Sequence, residues 1–172
     1  TVPIDKQGAN ILTTIHNKLV NTHTEDLKHW WKIFHAAGED WTVASDNWEG
    51  TSWGYFTGDD EAMKTMAGRI VENMRRLKAK TLLWPDEGTP SGDQAGLQKW
   101  FPEALQEFET ITVFDLLIRY IRQGRITLDR DRFAELATYH DPCNYGRRAE
   151  KIFVHGFFDA PRWIMDQCLA NW

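Results

Sequence analysis

Short apolar runs alternate with stretches of helical periodicity along the chain. Apolar runs of the kind that form buried strands lie at 9–15, 41–45, 81–84 and 110–113, and within 134–139. Apolar positions three or four residues apart predict helices from Thr22, over 59–78, from Ser91 to about Phe108, over 114–121 and over 159–169. Strands that alternate with helices indicate an α/β fold, here an open, mostly parallel sheet with helices on both faces in a Rossmann-like, three-layer arrangement.

The ends of the predicted helices carry local signals. The polar residues in 22–25 and 91–94 have the spacing of a capping box, which predicts that Thr22 and Ser91 cap the helices that follow them. The helix over 59–78 begins with acidic residues and ends with basic ones, which suits the helix dipole. Pro102 is expected to distort the helix that opens at Ser91, because proline has no N–H to donate to the helical hydrogen bonds.

The composition excludes several classes of protein. Of the 172 residues, 42% are hydrophobic, and 20 Lys and Arg against 25 Asp and Glu give a net charge of −5. So many apolar residues argue against disorder, and two cysteines argue against a disulfide scaffold. The negative charge disfavours non-specific binding to nucleic acid, and no apolar run approaches the length of a membrane span. We expect one α/β domain over 1–172 and, because the first residue is not Met, a portion of a longer subunit.

Three polar loops that contain glycine follow predicted strands, at 46–58, 85–92 and 140–146. Open α/β sheets bind their ligands at the carboxyl ends of the strands, where these loops would lie. The loops therefore indicate a ligand-binding edge, although every strand of a sheet needs a turn and ordinary turns are the alternative interpretation.

Cys143 is the residue in these loops with the most reactive side chain. Arg147 and Arg148 follow it closely, and neighbouring cations favour the thiolate, which is the form that binds metals and attacks electrophiles. The alternative is a small buried apolar residue, which is also the interpretation of Cys168 in the last predicted helix. His140 is placed to orient Cys143 or its ligand, or else is simply solvated or bonded to the backbone.

The segment Tyr-His-Asp-Pro-Cys-Asn-Tyr-Gly-Arg-Arg at 139–148 resembles the HDPC-x-x-GR segment of CCG-domain (cysteine-rich) proteins, the family of heterodisulfide reductase catalytic subunits. The stretches 2–12, 34–42 and 53–63 are similar to the iron–sulfur subunit of membrane complexes associated with sulfite reduction. The resemblance covers nearly the whole chain, and the HDPC segment is its most specific part.

The resemblance implies a cofactor and a set of ligands. Family members bind a non-cubane [4Fe–4S] cluster through cysteine motifs, and Cys143 matches the first cysteine of the second motif, which makes it the implied metal ligand. Glu87 stands where relatives have the cysteine of Pro-Glu-Cys-Gly, and a carboxylate there can contact a cation without replacing a thiolate. The paired cysteines of the first motif correspond to 48–50 or 52–54, where this chain has none. His140 would contact the ligands without binding the cluster itself.

The function that the resemblance implies is a portion of a cytoplasmic electron-transfer subunit, an oxidoreductase if it is active. The cluster would be completed by sequence beyond Trp172, so we expect no cluster in this chain alone. The implied partners are the other subunits of a membrane-associated complex, which would hold the chain at the inner face of the membrane. Two alternatives remain: a redox-inactive scaffold that docks partner subunits, and a thiol enzyme that uses Cys143.

Overall fold

In a computed structural model, which describes residues 1–49, 54, 57–85 and 88–172 (only the backbone of 88–93 and 153), four strands form one sheet. The strands are β1 (Ile11–Thr13), β2 (Trp41–Thr42), β3 (Thr81–Trp84) and β4 (Glu109–Thr112). They lie in the order β2-β1-β3-β4, and each neighbouring pair is parallel. The predicted α/β fold with an open parallel sheet is confirmed.

Helices connect the strands and follow the last one. They are α1 (Asn17–Asn21), α2 (Thr24–Ala36), α3 (Asp60–Leu77), α4 (Gly88–Trp100), α5 (Val113–Arg122), α6 (Ala149–Phe153) and α7 (Asp159–Cys168). A 3₁₀ turn (Ala104–Gln106) precedes β4, and a π-helical turn (Asn144–Arg148) runs directly into α6. Within the described ranges, no helix is both long enough and apolar enough to cross a membrane.

Successive strand residues face opposite sides of the sheet, and both sides are covered. Leu12 and Leu82 are buried in a cluster with apolar residues of α3 and α4. Their neighbours Ile11 and Leu83 are buried in a second cluster with residues of α2 and α5. A parallel sheet is stable only when helices cover both faces, so these two cores produce the predicted three layers.

The longest helix, α3, begins and ends where local chemistry predicts. The carboxylate of Asp59 accepts a hydrogen bond from the backbone N–H of Ala62 at 3.0 Å, which caps the first turn. Lys78 adopts the left-handed conformation just past the last turn, with φ of 54°. The prediction of a helix over 59–78 is confirmed to within a residue at each end.

Both predicted capping boxes are wrong. Thr22 ends α1 instead of starting α2, because its N–H and its hydroxyl both donate to the carbonyl oxygen of Lys18, at 2.9 Å each. The helix predicted from Ser91 begins earlier, at Gly88, and it ends at Trp100 instead of near Phe108. A proline clashes with a helical conformation at the residue before it, so Pro102 ends the helix instead of distorting it.

The strand predicted within 134–139 is also wrong, since no residue from 123 to 142 lies in a helix or strand. The N–H of Ala137 donates to the carbonyl oxygen of Asn171 at 3.2 Å, and the Arg130 guanidinium donates to the carbonyl oxygen of Leu169. The segment therefore lies along the last residues of the chain. Its alanines and glutamate are poor strand formers, and its apolar side chains find no place in either core.

Asn73 on α3 holds the loop that follows β2. Its buried amide donates to the carbonyl oxygens of Asp46 and Asn47 at 3.0 and 3.1 Å, and its own oxygen accepts from Arg76 at 2.8 Å. We expect Asn73→Ala to lower the free energy of unfolding by about 2 kcal/mol, because two hydrogen bonds to the loop are lost. Urea denaturation measures this, with the exposed Glu72→Ala on the same helix as the control.

Candidate functional site

The carboxyl ends of the four strands meet at one edge of the sheet. In the order β2-β1-β3-β4, β2 is added on one side of β1 and β3 and β4 on the other. The strand order therefore reverses between β1 and β3, which is where such sheets open a crevice for ligands. The N–H of Ile15, just past β1, donates at 3.0 Å to the carbonyl oxygen of Trp48, which lies in the segment that follows β2. The described start of the predicted loop 46–58 therefore lies at this edge.

The loop 140–146 reaches the same edge by a different route from the one predicted. It does not follow a strand, because 134–139 forms none. Instead, the π-helical turn contacts α4, and the ring of Tyr145 packs on the ring of Phe114 with centroids 4.6 Å apart. Since Phe114 lies in the first turn of α5, directly after β4, helix packing brings the Cys143 segment to the ends of the strands.

Of the positions that the resemblance compares with the family's cysteine motifs, some are described by the structure and others are not. Glu87 and residues 52–53 lie outside the described residues, so the alignment of the first motif stays a prediction. Trp48 and Glu49, at the other candidate position, are described and half-buried at the sheet edge.

Asp141 is fixed by an arginine from the last helix. The guanidinium of Arg162 donates to both carboxylate oxygens of Asp141, each at 2.7 Å, and it also donates to the carbonyl oxygen of Phe158 at 2.6 Å. The hydrogen bond from Arg162 holds the pKa of the Asp141 carboxyl below its ordinary value, and the same pair raises the pKa of Arg162. This bidentate contact ties the HDPC segment to α7.

The Cys143 thiol is exposed at the start of the π-helical turn. The Arg147 guanidinium donates to Sγ of Cys143 at 3.2 Å, and the N–H of Arg148 donates to the Cys143 carbonyl oxygen at 2.9 Å. The side chain is therefore accessible to a reagent or a partner, and a guanidinium cation stands beside its sulfur. A thiol in such a place has the surroundings expected of a metal ligand or a nucleophile.

His140 does not join Cys143 in a catalytic pair. Its imidazole is exposed and makes no hydrogen bond with any residue that the structure describes. Asp141, which would have to orient the imidazole in a relay, is engaged by Arg162. A nucleophile that is activated by a neighbouring base needs hydrogen-bonding contact between the two, and this arrangement supplies none.

The described residues do not fit an iron–sulfur cluster by themselves. Such clusters are held by a full set of cysteine thiolates. Cys168 is half-buried in α7, where burial raises the pKa of its thiol, and it is not bonded to Cys143. In the described part of the chain, no three His, Cys, Asp or Glu side chains converge as a metal site.

The sequence did not reveal Arg162 as a partner of Asp141. The two residues are 21 positions apart, and no periodicity relates them. The start of α7, with Pro161 in its first turn, was predicted correctly and places Arg162 near that end of the helix. Only the packing of α7 against α5 sets the distance to the HDPC segment.

No family model, curated protein or solved structure matches this chain. The resemblance to the CCG-domain family therefore depends on the residues at 139–148 and on the stretches that flank them.

The Asp141–Arg162 pair leads us to predict that the stability of the fold depends on pH. Because the pKa of Asp141 is lowered in the folded chain, the pair stabilises the fold above the ordinary pKa of an aspartate, about 3.9, and this contribution disappears as the pH falls through the folded value. We expect Arg162→Gln to be less stable than wild type at neutral pH, and the difference to shrink below about pH 4. Urea denaturation as a function of pH measures it.

The control is Lys151→Gln, which removes an equal charge from an exposed side chain of α6. Its stability should follow that of the wild type at each pH. A deficit of Arg162→Gln that is the same in acid as at neutrality would contradict the assignment.

Proposed function

We propose that this chain is a portion of a heterodisulfide-reductase-like electron-transfer subunit in which Cys143 presents a thiolate to a redox partner group. The other donors to that group would come from outside the described residues, in the complete subunit or its complex. The chain itself supplies the parallel-sheet frame and one positioned sulfur.

The observation that carries this proposal is the exposed Cys143 thiol, with the Arg147 guanidinium 3.2 Å from its sulfur. The thiol lies in the segment that resembles the family motif, and the Asp141–Arg162 pair ties that segment to α7. Soft thiolates are the ligands that iron–sulfur clusters select. A thiol enzyme explains the same residue less well, because His140 makes no hydrogen bond in the described part of the chain.

The test is the iron content and the electron paramagnetic resonance spectrum of the native polypeptide that contains this chain, isolated anaerobically with its complex. We expect iron in the wild type, and loss of most of it or an altered spectrum in Cys143→Ser, because one thiolate donor is removed. Cys168→Ser is the matched control, since that thiol is half-buried in α7 and is expected to leave iron and spectrum unchanged.

The folding of both variants can be checked by thermal denaturation. Measured on this chain alone, which is expected to bind no cluster, replacement of the exposed Cys143 by Ser should leave the melting temperature close to that of the wild type. Iron-free wild-type protein, or a Cys143→Ser variant with the iron and spectrum of the wild type, would contradict the proposal.

A redox-inactive docking module is the second candidate, and the surface of the segment after α5 favours it. Phe133 and Leu136 are 59% and 80% exposed, in a stretch whose backbone makes hydrogen bonds with Asn171 near the end of the chain. Large apolar side chains that face solvent close together mark interaction surfaces.

The two candidates differ in what each variant changes. If docking is the function, Phe133→Asp and Leu136→Asp should each reduce recovery of the partner subunits with this chain by at least about tenfold, because a charge is placed against an apolar partner. Cys143→Ser should then leave that recovery unchanged. Normal recovery with both Asp variants would remove this candidate.

A further inference from the structure

The two outer strands of the sheet differ in what lies along their free sides. Beside β2, the N-terminal segment continues the ladder: the N–H of Val43 donates to the carbonyl oxygen of Pro3 at 3.0 Å, and the N–H of Asp5 donates to that of Val43 at 2.9 Å. At the other end of the sheet, β3 is the only neighbour of β4 within the described ranges. The chain therefore covers one side of its sheet and leaves the other open.

The ladder with β3 determines which backbone groups of β4 point outward. The N–H of Glu109 donates to the carbonyl oxygen of Lys80 at 3.0 Å, so Glu109 faces β3. Successive residues of a strand direct their N–H and C=O groups to opposite sides, so Ile111 also faces β3, whereas Thr110 and Thr112 face outward. Among the residues that the structure describes, no group bonds the N–H or C=O of Thr110 or the N–H of Thr112. Such a row of unpaired groups is a template for another strand.

A groove of about 240 Å³ lies beside these backbone groups, and we call it the β4 groove. Its floor is the last three residues of β4, and its walls carry Gln94 and Gln98 of α4 and His155 and Phe157 of the segment before α7. The walls are held in place, because Gln94 accepts a hydrogen bond from the Trp84 indole at 3.1 Å and the Phe157 ring packs on those of Phe114 and Tyr145. A groove with fixed walls binds a ligand without the entropy cost of ordering those walls.

The charges at the two ends of the groove differ. Before the groove, the Glu109 carboxylate is neutralised by the Arg119 guanidinium at 2.6 Å. At its other end, the exposed Asp115 carboxylate accepts from the Thr112 hydroxyl at 2.6 Å and forms no ion pair within the described part of the chain. The uncompensated charge is therefore negative, and it favours a basic residue on whatever occupies the groove.

The size of the free side also restricts the occupant. β4 has four residues, so its free side is about 13 Å long. A stable dimer buries about 800 Å² on each partner, and pairing along so short a strand covers far less. One extended segment, in contrast, needs only the strand itself and the space that the two walls leave.

We propose that the β4 groove binds an extended basic peptide of a partner protein, which adds a fifth strand antiparallel to β4 with a Lys or Arg toward Asp115. In an antiparallel pair, the residue opposite Thr110 exchanges both hydrogen bonds with it, and the preceding part of the peptide runs past Thr112 toward Asp115. Phe157 offers apolar surface to the peptide side chains. This inference is independent of the function proposed for Cys143.

The test is a titration of the chain with acetyl-Lys-Val-Thr-Val-Thr-amide, followed in a ¹⁵N spectrum. We expect saturable binding with the largest amide shifts at Thr110 and Thr112, whose N–H groups acquire acceptors. A comparison peptide is methylated on the nitrogen of its second valine, the residue opposite Thr110, and should bind about tenfold more weakly because one ladder bond is lost. A second comparison peptide, with Glu in place of Lys, should bind at least about threefold more weakly because its charge repels Asp115.

Variants of the chain test the same contacts from the protein side. Thr110→Pro removes an outward N–H, which proline allows in an outer strand, and should weaken binding of the peptide by about tenfold. Thr110→Ala is its control, since it keeps the N–H and should bind like the wild type. Asp115→Asn should abolish the difference between the Lys and Glu peptides, whereas Asp131→Asn, an equal change on an exposed side chain outside the groove, should preserve it.

The absence of saturable binding overturns the proposal, as do equal binding of the methylated peptide and amide shifts centred away from β4. A chain that forms dimers, with a Thr110 amide protected from exchange in the dimer and exposed in the monomer, overturns it in favour of a second copy. If Thr110→Pro fails to fold, as its ¹⁵N spectrum would reveal, the methylated peptide on the wild-type chain still decides the question.

Discussion

Burial of a parallel sheet on both faces is the constraint on which the rest of this structure depends. Leu12 and Leu82 face one layer of helices, and Ile11 and Leu83 face the other. With both faces covered by helices, polar groups at the middle of the sheet are shielded from water, whereas the loops at the ends of the strands reach solvent. Open α/β sheets therefore bind their ligands at the carboxyl ends of the strands.

The elements predicted correctly are those whose signals lie within a few residues of one another. The apolar stripe of α3 lies between acidic residues at its start and basic residues at its end, so the sequence alone places both ends to within a residue. The buried strands are short apolar runs closed by turns, and they too were found. The capping-box prediction at Thr22 is wrong because a different local contact forms. The Thr22 hydroxyl donates to the carbonyl oxygen of Lys18 and ends the preceding helix.

The errors and omissions concern contacts between distant parts of the chain. The segment 134–139 was predicted as a strand from a local pattern. A strand, however, forms only where it can make hydrogen bonds with a neighbouring strand, and this segment lies against the end of the chain instead. The candidate site shows the same limit. Cys143 was found from a motif, whereas its place near the ends of the strands depends on the packing of Tyr145 on Phe114, and the fixation of Asp141 depends on Arg162.

The two edges of the sheet differ in how their carboxylates are satisfied. At the amino edge, the Glu39 side chain is 3% exposed and its carboxylate accepts hydrogen bonds from Asn10 and the Asp40 N–H, while Arg125 pairs with it at 2.9 Å. At the carboxyl edge, Glu49 has a buried oxygen, Oε1, that has no donor among the residues that the structure describes. Because the same fold satisfies one buried carboxylate completely, the bare oxygen of Glu49 is not a general consequence of its architecture.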